Sequence, residues 1–130
     1  MPAVKPLSYQ SLIDLFDGKR LGVPRTVRNN TQVIAHQEDD SPIYFKVVLH
    51  GSDLAIVYCD SVRLHAGLFR SATTRNRLND VLHPLGMEVR QVGLDERGFP
   101  AVPIWRVYKQ GGTSQEFTDG MVIDYAERSL

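Results

Sequence analysis

Hydrophobic positions change from a helical spacing to an alternating one near residue 30. Residues 8–17 (SYQSLIDLFD) carry an apolar stripe, which predicts a short helix capped by Ser8 or Ser11 and ended by Gly18. From Asn30 onward apolar and polar residues alternate, as in half-buried strands. This alternation predicts strands at residues 31–37, 43–49, 54–58 and 62–65. The last three are separated by tight turns, so we expect them to form an antiparallel meander.

A second helical pattern follows the meander. Apolar residues recur at i, i+3, i+4 and i+7 through Leu78, Val81, Leu82 and Leu85. This spacing predicts a helix over residues 75–85, with Thr73 or Thr74 as its N-cap and with Pro84 and Gly86 at its end. Because only one face is apolar, we expect the helix to lie on the sheet.

The last third of the chain returns to alternation. Strands are predicted at residues 87–92, 102–108 and 121–125, with a flexible loop at 111–114. Pro103 favours a sheet edge or a bulge, because proline cannot donate to a strand ladder. The predicted fold class is α+β, with a curved antiparallel sheet of about five to seven strands, one helix packed across it and a short N-terminal helix. Residues 1–28 form the N-terminal helix and a basic connector, and residues 29–130 form the core of a single globular domain.

Composition narrows the function classes. The chain has 130 residues, with 15 basic and 15 acidic side chains, so its net charge is zero. This balance disfavours a protein that coats or specifically reads DNA. We expect no membrane span, no signal peptide and, with Cys59 as the only cysteine, a cytoplasmic location in the host cell. The histidines are scattered, so we expect neither a metal site nor a cofactor; they are His36, His50, His65 and His83.

The zero net charge conceals a basic segment at the start of the second predicted helix. Residues 62–79 hold four arginines and no acidic residue. Helix N-termini favour bound anions, and hydroxyls and guanidinium groups are the partners that a phosphate prefers. The segment therefore predicts an anion or nucleotide-phosphate site built on Arg70, Thr73, Thr74, Arg75 and Arg77. The alternative is that Thr73 caps the helix and the arginines are solvated or pair with residues 38–40, while Arg77 and Asn79 brace the 71–74 loop.

A second acid-free stretch runs from Lys19 to Arg28. It could contact nucleic acid, an acidic partner, or the acidic C-terminal segment of a neighbouring subunit, so we expect a homo-oligomer. Across such an interface Arg25, Arg28 or Asn30 could complete the anion site.

Enzymatic interpretations have little support in the sequence. His50, Ser52 and Asp53 lie together in a predicted turn, where a turn-stabilising aspartate is the simpler explanation. Asp60 beside Cys59 disfavours a thiolate nucleophile. The aromatic residues of the strands fit core packing better than base stacking; they are Tyr44, Phe45, Trp105 and Tyr108. We therefore expect a binding protein and not an enzyme.

An ordered series of short motifs resembles a widespread group of small bacteriophage accessory proteins. The motifs lie in the block from Asn29 to Tyr108, with a late Asp119-Gly120 beyond it. They are Asn30-Thr31, Leu49-His50-Gly51-Ser52-Asp53, Gly67-Leu68-Phe69-Arg70, Thr73-Thr74-x-x-Arg77-Leu78-Asn79 and the aromatic strand around Trp105 and Tyr108. The group often has Gly-Gly-Trp where this chain has Gly67-Leu68-Phe69.

This resemblance implies a function in countering host defence. Such proteins often sequester a signalling nucleotide or bind a defence protein. We therefore expect a phage accessory protein that binds a phosphate-bearing nucleotide. The alternative is an inhibitor that blocks a host defence protein or nucleoprotein complex through its surface.

Overall fold

The computed structural model describes residues 7–66, 70–98 and 101–125. These ranges contain two α-helices and nine strands. The helices are α1 (Tyr9–Leu15) and α2 (Ala72–Leu82), and a 3₁₀ turn (His83–Leu85) follows α2. The strands are β1 (Arg25–Arg28), β2 (Thr31–His36), β3 (Tyr44–Leu49), β4 (Ser52–Val57), β5 (Ser61–Leu64), β6 (Met87–Asp95), β7 (Val102–Lys109), β8 (Ser114–Glu116) and β9 (Val122–Asp124).

The larger sheet, sheet A, has six strands in the order β1-β2-β3-β4-β5-β9, and every neighbouring pair is antiparallel. Alternating side chains of β2 and β3 enter the core, among them Val33, Phe45 and Val47. The β3–β4 hairpin turns through His50 and Gly51, which have φ angles of 52° and 79°. Consecutive left-handed residues are typical of a type I′ hairpin turn, whose twist matches that of the strands.

The smaller sheet, sheet B, has three strands in the order β6-β7-β8. Strand β8 pairs only with residues 106–108, so Pro103 lies where β7 has a single neighbour and its missing N–H leaves no gap in the ladder. The α+β class and the antiparallel strands are thus confirmed, but the prediction of one sheet was wrong. The chain returns to sheet A at its end, because β9 pairs with β5 and not with β8. The curvature and the packing of α2 across one sheet stay predictions.

Helix α2 contributes to the core through Leu78, Val81 and Leu82, which are almost fully buried. Ser71 caps its N-terminus, since the Ser71 Oγ accepts a hydrogen bond from the Thr74 N–H at 3.1 Å. The predicted caps, Thr73 and Thr74, were wrong: the helix begins one turn earlier than its apolar spacing indicates. The α-helix ends at Leu82, just before Pro84, and Gly86 is left-handed with a φ angle of 76°.

Removing the Ser71 hydroxyl should weaken the start of this helix. We expect Ser71→Ala to lower the free energy of unfolding by about 1 kcal/mol, the usual effect of losing an N-cap. Urea unfolding followed by circular dichroism would measure it. The same substitution at Ser41, an exposed residue of the turn between β2 and β3, is the matched control, and equal losses in the two variants would contradict the cap assignment.

Asn79 joins α2 to sheet B, because its side-chain amide pairs with the backbone of β6 as a residue of a neighbouring strand would. Its amide Nδ2 donates to the Val89 carbonyl at 3.2 Å, and its Oδ1 accepts from the Val89 N–H at 2.6 Å. Both backbone groups of Val89 are therefore satisfied by one side chain. The predicted bracing of the 71–74 loop by Asn79 is not what the structure shows, because the side chain bonds to β6.

Helix α1 closes another side of the core. Ser8 is its N-cap, which confirms one of the two predicted positions. The Phe16 ring lies 5.5 Å from that of Phe45, and the Tyr9 hydroxyl donates to the Ile43 carbonyl at 2.7 Å. The predicted connector does not continue to residue 28 as a loop, since residues 25–28 form β1 and pair with β2.

Candidate functional site

A cleft of about 400 Å³ opens at the end of sheet A where α2 begins. The end of β3, the start of β4, the segment after β5, the first turn of α2 and the loop before β9 all contribute to it. We call it the α2 cleft. Its polar lining residues are His50, Ser52, Asp53, His65, Ser71, Thr74 and Asp119, and its apolar ones are Leu49, Leu54 and Ala66.

Both carboxylates of the α2 cleft have partners within the protein. Asp119 accepts a hydrogen bond from the Ala66 N–H at 2.5 Å, and its other oxygen lies 3.8 Å from the His65 Nδ1. Asp53 lies 3.7 Å from the Lys46 ammonium group. These contacts reduce the negative charge that a ligand in the cleft would meet.

The first turn of α2 forms one wall of the α2 cleft. The hydroxyl groups of Ser71 and Thr74 lie 3.0 Å apart, and the Ser71 hydroxyl also caps the helix. N–H groups in the first turn of a helix have no carbonyl four residues earlier to accept them, and the helix dipole makes this end partly positive. The wall therefore presents hydrogen-bond donors and a positive potential.

Of the predicted anion-binding residues, Thr74 lines the α2 cleft. Thr73 is exposed on the first turn of α2, and Arg75 is half-buried on the same turn. Arg70 is held elsewhere: its Nη1 donates to the Pro103 carbonyl at 2.9 Å, and its guanidinium carbon lies 5.6 Å and 5.3 Å from the ring centroids of Trp105 and Phe117. Arg70 thus packs on the aromatic core of sheet B.

Two further predicted arginines lie together at a different place in the fold, beside Asp80. Arg28 and Arg77 both face the Asp80 carboxylate, at 2.5 Å and 3.7 Å. Arg77 also donates from Nε to the Thr31 hydroxyl at 3.1 Å. The alternative interpretation expected arginines to pair with residues 38–40, but the acidic partner of this pair is Asp80. The single Asp80 carboxylate balances only one of these two guanidinium charges, and the cluster braces β1 and β2 against α2.

The remaining predicted residues lie on β1 and its turn. Asn30 has a φ angle of 57° between β1 and β2, and its carbonyl accepts the His50 N–H at 2.9 Å. This bond connects the β1–β2 turn to the turn that contributes to the α2 cleft. Arg25 is half-buried in β1. The eight predicted residues therefore divide among the start of α2, the Asp80 pair, the Trp105 region and the β1 edge.

Sequence reasoning did not assign most of the polar residues that line the α2 cleft. His50, Ser52 and Asp53 were interpreted as a turn, which is correct for the backbone but incomplete, because the same residues face the cleft. His65 and Asp119 come from segments that are far apart in the chain and meet where β5 and the loop before β9 run side by side. The available signal was their position at strand ends. The predicted motif residues 67–69 lie outside the described residues.

The aromatic residues of β3 and β7 lie on opposite faces of their strands, because successive side chains of a strand point to opposite sides. Phe45 and Trp105 are fully buried, while Tyr44 and Tyr108 are half-buried on the opposite faces. Two of the four are therefore core residues, as packing predicts. The guanidinium carbon of Arg90 lies 4.7 Å from the Tyr108 ring centroid, which places a cation over that ring.

Two kinds of feature are absent from the described part of the chain. Within residues 7–66, 70–98 and 101–125, no group of three or more His, Cys, Asp or Glu side chains is arranged to hold a metal ion. No helix in those same ranges is long and apolar enough to cross a membrane.

Comparison with known families places the chain in a bacteriophage lineage. A family model described as Kyanoviridae Gp96 protein matches residues 21–124, which is most of the sequence. The chain belongs to this family. The match includes all nine strands and α2, whereas α1 precedes it. Searches of the curated proteins and of the solved structures found no match. The phage origin that the resemblance implied is thus confirmed, and the family description names no activity.

Proposed function

We propose that this phage protein is an accessory binding protein that counteracts host defence by sequestering a phosphate-bearing nucleotide in the α2 cleft, in the cytoplasm of the host cell. The observation that carries the proposal is the α2 cleft itself, in which helix-start donors and carboxylate acceptors line one space of about 400 Å³. Small-molecule sites in proteins occupy roughly 300–1,000 Å³, so the space suits a single nucleotide.

The phosphate would lie against the first turn of α2. Phosphate oxygens accept hydrogen bonds from free N–H groups and from hydroxyls, and the partial positive charge of a helix start stabilises them. One hydrogen bond joins the Ser71 and Thr74 hydroxyls, so the hydroxyl that accepts it still has its own hydrogen to donate to a phosphate. The imidazoles of His50 and His65 supply further N–H donors. Thr73 and Arg75 lie on the same turn of α2 but are not among the residues that line the cleft.

The carboxylates favour a nucleotide over inorganic phosphate. A carboxylate repels phosphate but accepts hydrogen bonds from ribose hydroxyls and from base amino groups. Asp53 is exposed at the start of β4 and lines the same cleft as the first turn of α2. A ligand with an anionic end and a hydroxyl-rich end satisfies both walls at once, whereas inorganic phosphate satisfies only one.

Binding without turnover fits the hydroxyl groups of the cleft. Ser71 and Thr74 are engaged with each other, and Ser71 also caps the helix, so neither is poised as a nucleophile. Sequestration needs only affinity and a long residence time, both of which improve when the binding groups are already ordered before the ligand arrives.

Thermal unfolding with a panel of linear and cyclic nucleotides tests the proposal. A nucleotide present at 100 times its Kd should stabilise the protein by about 2.7 kcal/mol, since it binds only the folded state. We expect His65→Gln and Asp53→Asn to abolish the shift. His83→Gln, which alters an exposed histidine outside the α2 cleft, should retain it.

Two results would contradict the nucleotide proposal. One is the absence of a shift with every nucleotide in the panel. The other is a shift that survives both His65→Gln and Asp53→Asn, because the ligand would then lie elsewhere. If the shift is abolished only by the paired change Arg70→Ala and Arg75→Ala, the ligand binds at the arginines that the sequence indicates and not in the α2 cleft.

One observation favours the second candidate, an inhibitor that acts through its surface. Val92 and Leu94 are 47% and 51% exposed on the half of the β6–β7 hairpin that β8 does not reach. Exposed apolar side chains on a protein surface are a common feature of protein–protein contacts. If this function holds, a stoichiometric complex with a host defence protein should be lost when both residues are changed to serine.

A further inference from the structure

A second pocket, of about 340 Å³, lies between two turns of sheet A. The β2–β3 turn forms one side and the β4–β5 turn forms the other. We call it the tyrosine pocket, and the residues that matter for its chemistry are Glu38, Ser41, Tyr44, Tyr58 and Asp60. It shares no lining residue with the α2 cleft.

The two tyrosine rings form a fixed aromatic wall. Their centroids lie 5.5 Å apart with an interplanar angle of 33°, and His36 stacks beside Tyr44 at 5.4 Å. The backbone of Tyr58 is anchored on both sides, because its N–H donates to the Ser61 carbonyl at 2.9 Å and its carbonyl accepts the Tyr125 hydroxyl at 2.7 Å. A ligand would therefore meet a wall that is already ordered.

Both charged groups that line the tyrosine pocket are carboxylates. Glu38 and Asp60 come from different turns, and neither forms an ion pair with a cation among the described residues. The Tyr44 hydroxyl lies 3.5 Å from a Glu38 oxygen. Burial raises the pKa of Tyr44, and the negative charge of Glu38 raises it further. The pocket thus has a negative potential that the described part of the chain leaves unbalanced.

Aromatic faces and carboxylates together select for organic cations. An ammonium or guanidinium group gains from the negative face of a tyrosine ring and from an ion pair with a carboxylate. A divalent metal ion would require more oxygen ligands than two carboxylates supply, and an anion would be repelled. The pocket is also larger than a bare ion needs.

We propose that the tyrosine pocket binds an organic cation with an ammonium or guanidinium head group. The head group lies between the carboxylates of Glu38 and Asp60, and the tyrosine rings contact its alkyl or guanidinium surface. This site is independent of the nucleotide proposal, since either pocket could bind its ligand without the other.

The test uses nuclear magnetic resonance of the tyrosine rings with matched probes. Cadaverine, a diamine, is titrated against the diol of the same chain length, and a short arginyl peptide is titrated against its glutaminyl counterpart. We expect the diamine or the arginyl peptide to shift the ring signals of Tyr44 and Tyr58, with no such shift from the uncharged probes. A response to the diamine identifies a free amine as sufficient, whereas a response to the peptide alone identifies a protein side chain as the ligand.

The variants change charge and leave shape intact. Glu38→Gln and Asp60→Asn should each weaken binding by about tenfold, the effect of losing one charge-assisted contact of about 1.4 kcal/mol. Glu96→Gln, which makes the same change outside the pocket, is the control. A bound cation should also lower the pKa of Tyr44, because it favours the phenolate.

Three outcomes would overturn the cation site. They are equal shifts with the diamine and the diol, no shift with any charged probe, and affinity that is unchanged in the double variant Glu38→Gln with Asp60→Asn. If a nucleotide-dependent thermal shift persists in this double variant, nucleotide binding does not depend on the tyrosine pocket, and the two proposals are tested independently.

Discussion

Replacing Asn79 by leucine should lower the free energy of unfolding by about 2–3 kcal/mol, because it leaves two backbone groups of Val89 without partners. Leucine has the branched shape of asparagine, with two larger methyl groups in place of the amide oxygen and nitrogen, so the change removes the hydrogen bonds without opening a cavity. The Val89 N–H and carbonyl would then face an apolar side chain in a region where Val89 itself is buried. Urea unfolding would measure the loss.

Asn76→Leu is the matched control for this prediction. Asn76 lies on the exposed face of the same helix, so the identical substitution tests helix propensity and solubility alone. Hydrogen exchange adds a local readout, since the Val89 amide should exchange faster in Asn79→Leu than in the wild-type protein. If the two leucine variants unfold at the same urea concentration, the amide of Asn79 does not fasten α2 to sheet B.

Replacing Asp80 by alanine should also destabilise the fold by about 2–3 kcal/mol. The Arg28 and Arg77 side chains are only 25% and 17% exposed, and both face the Asp80 carboxylate. Without it, two partly buried guanidinium groups would repel each other with no anion between them. The effect should persist at high salt, because ions screen partly buried charges less than exposed ones.

An exposed ion pair provides the comparison for Asp80. Asp95 forms hydrogen bonds with both the Nε and the Nη2 of Arg97, and Arg97 is 90% exposed. Such pairs contribute little in water, so Asp95→Ala should leave the melting temperature unchanged. The Asp80 prediction fails if Asp80→Ala is as stable as Asp95→Ala. A double variant with Arg77→Met should recover part of the lost stability, since it removes one of the two unpaired charges.

The periodic elements were predictable because burial imposes its period on the residues. Phe45 and Val47 mark the core face of β3, and Leu78 and Leu82 mark that of α2. The division into two sheets was not predictable in this way, because nothing in the alternation of residues 121–125 distinguishes a partner in sheet A from one in sheet B. Strand β8 is three polar or half-buried residues, too few to show a period.

The candidate site was predicted only in part, for a related reason. A basic segment in the sequence shows where positive charges lie along the chain, but not which carboxylates face them in the fold. Arg28 is 52 residues away from Asp80, so their ion pair depends on how β1 approaches α2. The α2 cleft has the same origin: Asp53, His65 and Asp119 come together only because of the order of the strands in sheet A.

The position of β9 also determines when the cleft can exist during synthesis. The meander from β1 to β5 uses short turns, so it can pair soon after it leaves the ribosome, whereas β9 must wait for all of sheet B to be made. Asp119 belongs to the segment that arrives with β9 and bonds to the Ala66 N–H. A nascent chain that stops before residue 119 therefore contains most of sheet A but lacks one wall of the α2 cleft, so the binding proposed for this cleft would be among the last properties that the growing protein acquires.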